Sequence, residues 1–325
     1  LMVIILKDKY GRVFSYLRLS ITDLCNFNCK YCLPISYNDF TRKYLTVNEI
    51  YNLVFALSEL GVEKVRLTGG EPTVRKDFFD IAKAILSIEN IKNLCLTTNG
   101  YNLYSIIDDI YSIGFSSINV SLDTLDLNKF SVITGRNFFN DVFNGIYKAC
   151  DASLKIKINV VLSNFFSSED FYNFYVLVKY KVITVRFIEQ MGTFSLKNDF
   201  SSHLSSSYIK EFLLNSGWKV DVRKSFSGPA FEFNNQAFCG RIGIINPYLE
   251  TFCLSCNRLR VTSDGNMHLC LLSNKSLDLK SLLISLDKKE ILKKFIVDNL
   301  SIKEKGHLLN FGQVSLFENF SSIGG

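Results

Sequence analysis

Six short apolar or β-branched runs recur through the first two thirds of this chain, at 17–21, 64–68, 93–98, 117–121, 155–162 and 184–188. Between most of them lies a stretch with helical period. The clearest is 46–60, where Thr46 and Glu49 have capping-box spacing. Ile50, Leu53, Val54 and Leu57 line one face there, and Gly61 stands as the stop. A similar stretch is 78–86, with Asp77 as its N-cap. Parallel neighbours cannot be joined by a tight turn, so strand–helix–strand repeated this way predicts βαβ units with the helices as crossovers. Six units predict an α/β fold, an incomplete (β/α)6 TIM-type barrel, with a doubly wound sheet as the alternative. At 325 residues the chain is long enough to add a smaller module. Its texture changes near 225: Ser227-Gly228-Pro229 breaks the chain and short β-like runs follow. Residues 1–225 are therefore expected to form the partial barrel, and 226–325 a C-terminal module.

Each run ends in, or carries, a distinctive polar patch. Three closely spaced cysteines follow the first, Gly69-Gly70-Glu71-Pro72 the second and Thr98-Asn99-Gly100 the third. Ser121-Leu122-Asp123 follows the fourth, Lys157 and Asn159 lie within the fifth, and Glu189-Gln190-Met191 follows the sixth. In parallel barrels the C-terminal strand ends form the active-site mouth, so these patches would converge on one rim. Two glycines let backbone approach a ligand closely, Pro72 fixes the turn, and Glu71 could anchor an ammonium group. The plainer reading of Gly-Gly-Glu-Pro is an ordinary βα turn with a surface glutamate.

Nine cysteines is an odd number, and six of them fall into two short clusters. That suits metal ligation in a reducing compartment better than a disulfide framework. Cys25, Cys29 and Cys32 are spaced C-x3-C-x2-C. Three soft thiolates suit a [4Fe–4S] cluster and leave one iron open. A zinc site would want a fourth ligand nearby, yet the next cysteine is Cys95 and the first histidine His203. Buried, unligated thiols are the third reading. In the second cluster, Cys253 and Cys256 precede a strand-like Arg258-Leu259-Arg260-Val261-Thr262, and Cys270 follows an Asp264-Gly265 turn. With those two residues at the centre of a hairpin, Leu259 pairs with Cys270 and the three thiols converge. His268 shares the face of Cys270, so zinc stays open beside a second iron–sulfur cluster. Arg258 and Arg260 share a strand face too, and their rigid donor forks suit phosphate or a guanine-like acceptor edge. The bland alternative is a solvated strand face.

The net charge of +6 is mild and comes without a clustered basic run, which fits a small anionic substrate and argues against nucleic acid. The apolar start at 1–6 is too short for a signal peptide or membrane span and reads as an edge strand. A cytoplasmic protein is expected.

C-x3-C-x2-C with Tyr31 before the last cysteine resembles the signature of radical S-adenosylmethionine (SAM) enzymes, and Gly69-Gly70-Glu71-Pro72 matches the turn with which that superfamily binds the SAM amino group. Together with C-x2-C-x13-C, the embedded Asn257-Arg258-Leu259-Arg260 and the closing Gly324-Gly325, the chain resembles the GTP 3′,8-cyclase family. These lyases open molybdenum cofactor biosynthesis. The resemblance implies two [4Fe–4S] clusters, one on Cys25, Cys29 and Cys32 with SAM on its open iron. The other, on Cys253, Cys256 and Cys270, would meet the guanine of GTP. It places Tyr31, Gly70, Glu71, Ser121 and Met191 at SAM, and Arg18, Arg66, Thr97, Lys157, Arg258, Leu259 and Arg260 at GTP. It implies catalytic roles for Arg258, Arg260 and the Gly324-Gly325 tail, which would reach into the site where a side chain would clash. The implied reaction removes the 3′-hydrogen of GTP and closes C3′ onto C8, giving (8S)-3′,8-cyclo-7,8-dihydroguanosine 5′-triphosphate. An electron donor would feed it, and cyclic pyranopterin monophosphate synthase would consume the product; a homodimer is left open. The chain departs from the family pattern at Leu33, a position that is often Met. Two other readings are a radical SAM peptide-modifying enzyme with an auxiliary cluster, and an electron-transfer or zinc-stabilised binding protein. The first usually carries more cysteines than the single Cys239 outside the C-terminal trio, and the second leaves the Gly-Gly-Glu-Pro turn unexplained.

Overall fold

The structure is a computed structural model that describes residues 5–30, 32, 44–191, 204–221, 228–273 and 275–307. Tyr31, Gly324, Gly325 and the expected boundary after residue 225 lie outside the described residues. The six expected strands are all present: β1 (Tyr16–Ser20), β2 (Lys64–Thr68), β3 (Asn93–Thr98), β4 (Ser117–Ser121), β5 (Ile156–Leu162) and β6 (Thr184–Glu189). They pair in chain order and all in parallel. The connections carry α1 (Val47–Glu59), α2 (Phe78–Leu86), α3 (Leu103–Ile113), α4 (Leu127–Thr134), α5 (Phe139–Asp151) and α6 (Ser168–Tyr180). Ahead of α1 the capping box forms as read. Thr46 accepts from the Glu49 N–H, and the Glu49 carboxylate accepts from the Thr46 N–H at 2.8 Å. Ile50, Leu53, Val54 and Leu57 are fully buried. Gly61, at φ +90°, donates to Ser58 O, and Val62 donates to Leu57 O, which completes a Schellman stop. Asp77 precedes α2 but makes no capping bond, because Arg75 takes its carboxylate at 2.6 and 2.9 Å.

Later strands join the same sheet at both ends. β7 (Lys219–Val220), β8 (Phe231–Asn234) and β9 (Arg241–Ile245) lie beyond β6, with β9 parallel to it. β10 (Arg258–Val261), β11 (Asn266–His268) and β12 (Ser276–Asp278) lie beyond β1, with β10 parallel to it. The full order is β12-β11-β10-β1-β2-β3-β4-β5-β6-β9-β8-β7. This is a mostly parallel α/β sheet.

Its two faces differ in kind. Side chains alternate along a strand, so Leu17, Leu19, Val65, Leu67, Leu94, Leu96, Ile118, Val120, Ile158, Val160, Val185 and Phe187 share one face, and all are fully buried in the core. The other face carries Tyr16, Arg18, Lys64, Arg66, Cys95, Thr97, Asn119, Lys157, Asn159 and Arg186. A parallel sheet covered on both sides reads as apolar on both. One polar face means that this side lines a site.

The β10–β11 hairpin departs from expectation by one residue. Arg260 pairs with His268 and Val261 with Met267, so Leu259 does not oppose Cys270. The loop has three residues rather than two. Thr262 donates to Asn266 O at 2.9 Å, and Gly265, at φ +96°, donates back to Thr262 O at 3.1 Å. The Asp264 carboxylate braces the turn by accepting from Asn266 Nδ2 at 3.0 Å. Continued outward, this register sets Arg258 across from Cys270. Among the described residues no helix is long and apolar enough to cross a membrane.

Candidate active site

The chain leaves β1 through Thr22, Asp23 and Leu24 to reach Cys25, and the Gly-Gly turn after β2 clamps that path. Gly70 donates to Thr22 O at 2.8 Å and Glu71 donates to Leu24 O at 2.7 Å. A Cβ on Gly69 would stand 2.2 Å from Thr22 O, and one on Gly70 2.1 Å from Leu24 O. The close approach that the two glycines allow is made here by the backbone of the cysteine loop. Glu71 is fully buried. It accepts from Thr73 N–H (3.0 Å), Thr73 Oγ1 (2.6 Å), Thr98 Oγ1 (2.8 Å) and Asn99 N–H (2.6 Å). Burial raises its pKa, and these donors pull the other way. Both carboxylate oxygens are taken by protein groups, which makes Glu71 a latch between the turns after β2 and β3. Asn99 extends the latch by donating to Asn26 Oδ1 at 2.7 Å, with Cys25 Sγ at 3.8 Å. Arg75 donates to Ile21 O (2.6 Å) and Leu45 O (2.7 Å), one on either side of the cysteine loop.

Cys25, Cys29 and Cys32 are all half-buried here. Burial pushes the Cys25 thiol up to about 11 and Cys32 to about 12, and carries Cys29 well above the ordinary range. For Cys29 and Cys32 the neighbouring thiols and Asp123 add to the rise. Buried thiols this close to one another and to two carboxylates, Glu71 for Cys25 and Asp123 for Cys29 and Cys32, form a site that positive charge would stabilise. Among the described residues no three His, Cys, Asp or Glu side chains are grouped closely enough to hold a single metal ion. Three soft thiolates are the donors an iron–sulfur cluster takes, each bound to its own iron, so the chemistry of the residues fits a cluster. A cleft of about 320 Å³ beside it is lined by Phe27, Cys29, Asn99, Ser121, Asp123 and Phe130. Met191 is half-buried just past β6, next to Gln190, whose carbonyl accepts from the Tyr248 hydroxyl at 3.1 Å.

Cys253, Cys256 and Cys270 meet around a second cleft, of about 460 Å³, with Arg258, Arg260 and Lys303. At Cys256 the electrostatics are the reverse of the first site. Burial would raise Cys256, but Arg258 and Lys303, then Arg260, bring it down from 9.0 to about 7. Cys253 is raised, chiefly by burial. Three thiols and an acceptor-hungry cation group fit a cluster here too. His268, the alternative zinc ligand, does not line this cleft; the histidine that does is His307, with Nε2 2.6 Å from Pro247 O.

Between the two thiol groups runs a row of cations. Register aligns Arg260, Arg18 and Arg66 on three adjacent strands, so all three point from the polar face. Arg66 donates through Nε to the Tyr16 oxygen (2.7 Å) and through Nη1 to Leu96 O (2.5 Å), with Thr97 Oγ1 at 3.5 Å. Lys157 is 3.0 Å from Glu232. Burial lowers its pKa, Arg186 adds to the fall, and Glu232 opposes it. Burial and then crowding lower Arg18 and Arg186 to about 10 and Arg260 well below its ordinary value. A guanidinium stays charged at neutral pH regardless, so the crowding is a standing cost that a polyanion relieves. Leu259 is fully buried on the opposite face, which leaves only its backbone for a ligand.

Lys64, Arg186 and Tyr16 are the site residues that the sequence reading passed over. Arg186 is buried, and its Nε, Asn159 Oδ1 and Asn119 Oδ1 are enclosed without hydrogen-bond partners. Asn159 is the register partner of Arg186. The period-2 alternation that marks Arg66 marks Lys64 and Arg186 equally.

A parallel sheet with a three-thiol loop after its first strand, clamped by the Gly-Gly turn after its second, defines a radical SAM enzyme. The Radical SAM superfamily profile matches residues 19–178, and Molybdenum Cofactor Synthesis C matches 183–309. The fold is shared with Streptococcus suis SuiB bound to precursor peptide SuiA (TM-score 0.64, 14% identity, 96% of this chain and 75% of that one). It is shared likewise with the tagged form of anSMEcpe with bound AdoMet (TM-score 0.56, 17% identity, 86% and 82%). Among curated relatives, "GTP 3′,8-cyclase" of Haemophilus influenzae (strain PittEE) is 44% identical over 98% of this chain and 96% of its own length. The protein of the same name from Psychromonas ingrahamii is 45% identical over 98% and 95%. The chain belongs to the GTP 3′,8-cyclase family.

Proposed function

We infer that this chain cyclises GTP to (8S)-3′,8-cyclo-7,8-dihydroguanosine 5′-triphosphate, the first step of molybdenum cofactor biosynthesis. The observation that carries the reading is the Arg260–Arg18–Arg66 row lying between two separate three-cysteine groups in a chain 44% identical to enzymes of that name. The parallel strands form an incomplete (β/α)6 barrel in this reading. The C-terminal module brings the second thiol group to its open side. Cys25, Cys29 and Cys32 hold the cluster that meets SAM, and Cys253, Cys256 and Cys270 hold the auxiliary one. When bound, the first cluster and SAM together supply the one-electron chemistry that starts the reaction.

The chain's own residues then bind and orient. Arg18, Arg66 and Lys157, joined by Lys64 and Arg186, take the triphosphate in charge-assisted hydrogen bonds. Thr97 keeps the Arg66 fork in place. Arg258 and Arg260 present N–H donors to the guanine edge, with the Leu259 backbone between them. Tyr31, the Gly70 backbone, Ser121 and Met191 hold SAM, while Glu71 acts one step back by fixing the turn. The Gly324-Gly325 tail completes the site. The product passes to cyclic pyranopterin monophosphate synthase, an electron donor supplies the first cluster, and the setting is the cytoplasm.

Anaerobic incubation of reconstituted protein with SAM, GTP and dithionite tests this reading. 5′-Deoxyadenosine should rise on adding GTP, with a cyclised nucleotide appearing alongside. No GTP-dependent rise would overturn it. An iron count of about eight per chain rather than about four separates two clusters from one.

A further inference from the structure

Tyr16 is the one phenol on the polar face of β1, and cations surround it. Register sets Lys64 on one side of it and Arg258 on the other, with Arg18 and Arg66 one step further along. The Arg66 Nε donates to its oxygen at 2.7 Å, and Arg18 also hydrogen-bonds it. The Lys64 ammonium lies 4.8 Å from the ring centroid. On the far side of β2 lies Cys95 of β3, and Arg186 of β6 also interacts with the phenol from across the polar face. The ring is buried. One small acceptor thus holds two of the guanidiniums assigned above to the triphosphate.

We propose that Tyr16 is a positioning residue whose oxygen holds Arg18 and Arg66 in line until the phosphates of a nucleoside triphosphate replace it. The proposal rests on the GTP reading and adds a linked proton to it. Burial alone would raise the phenol, but Arg66, then Arg18 and Lys64, outweigh it and bring the group from 10.0 down to about 8. Without nucleotide the phenol is therefore half ionised at about pH 8. When phosphate oxygens take the guanidinium donors, a phenolate left beside them is repelled. It takes up a proton and turns its O–H to the phosphate. The sign follows: binding favours the protonated phenol, so affinity is full below pH 8 and falls as pH rises through about 8. One proton sets the limit at about tenfold per pH unit.

Calorimetric titration of oxidised, reconstituted protein with GTP, in two buffers of different ionisation enthalpy, reads both quantities without turnover. The wild-type chain should take up close to one proton per GTP at about pH 9 and far less at about pH 7. Its affinity should drop about tenfold in all between them, nearly all of it above pH 8. Tyr16→Phe should lose that proton and flatten the profile, keeping only the changes that belong to the nucleotide. A Tyr16→Phe profile that falls as steeply as wild type, or wild-type binding without proton uptake, overturns the proposal while the GTP reading stands. If Tyr16→Phe does not fold, the wild-type proton count decides alone. A wild-type chain that binds no GTP at any pH overturns both.

Discussion

The absence of one methyl group decides where the first cysteine loop runs. Gly70 does not use a left-handed backbone, so alanine there meets no conformational strain; the obstacle is purely steric. The added Cβ would lie 2.1 Å from Leu24 O and 2.6 Å from Asp23 O, and neither backbone atom can rotate away. Gly70→Ala is expected to cost about 1–3 kcal/mol in denaturant unfolding, as overpacking does. It should also lower bound iron from about eight per chain to about four, because only the Cys25 loop is displaced. A Gly70→Ala protein with full iron would reject the clamp. In sequence, Gly69-Gly70 reads as room for a close approach, with no sign of which segment makes it. The partner is backbone from Thr22 to Leu24, more than forty residues earlier in the chain, and a local pattern carries no sign of such a contact. The donors to Glu71 are equally invisible in sequence, since they come from two different turns.

At the level of elements, two aspartate- or threonine-led helix starts look alike in sequence and behave differently. Thr46→Ala removes one half of a working capping box and is expected to cost about 1 kcal/mol, read as a shift in the denaturation midpoint. Metal and nucleotide binding should not change. Asp77→Ala removes no cap. It frees Arg75, which donates to Ile21 O and Leu45 O, so its effect should appear as weaker iron retention at the first site. The contrast between the two variants checks both assignments. The strands and crossover helices themselves were legible, because each strand must set an apolar face under the helices, and that demand writes a period into the chain. Hairpin register was not, since Asp264-Gly265 closes a two- or a three-residue loop equally well until Thr262 and Asn266 are seen to pair. Nor was the placement of β9 beside β6 and β10 beside β1, which depends on edge pairing between distant segments.

Across the whole molecule, the second thiol site is assembled from both ends of the described chain, and Arg12 is the tie. Its guanidinium donates to Cys253 O (3.1 Å), Glu304 O (2.7 Å) and Lys305 O (2.9 Å), and Nε meets Asp8 at 2.6 Å. Both side chains of that ion pair are buried. Lys303 adds a second tie, with its ammonium donating to Leu269 O and lying 5.3 Å from the Phe14 ring centroid. Arg12→Ala strips three carbonyls of a donor and leaves Asp8 buried and unpaired, a loss of about 3–5 kcal/mol. Charge burial and the tie can be told apart. Arg12→Leu combined with Asp8→Asn removes both charges, which often restores stability because neither is left uncompensated. It does not restore the fork that holds the Cys253 carbonyl against the 304–305 backbone. The double variant should therefore unfold near the wild-type denaturant midpoint yet hold about four irons per chain instead of about eight. It should still cleave SAM slowly with dithionite, while GTP no longer accelerates the cleavage, because Arg258 and Arg260 sit on the strand that follows the displaced Cys253 and Cys256. Arg12→Lys should fall between, since a lysine keeps the charge but cannot bridge three carbonyls at once. Full iron and GTP-accelerated cleavage in the double variant would show that the second site stands without the tie.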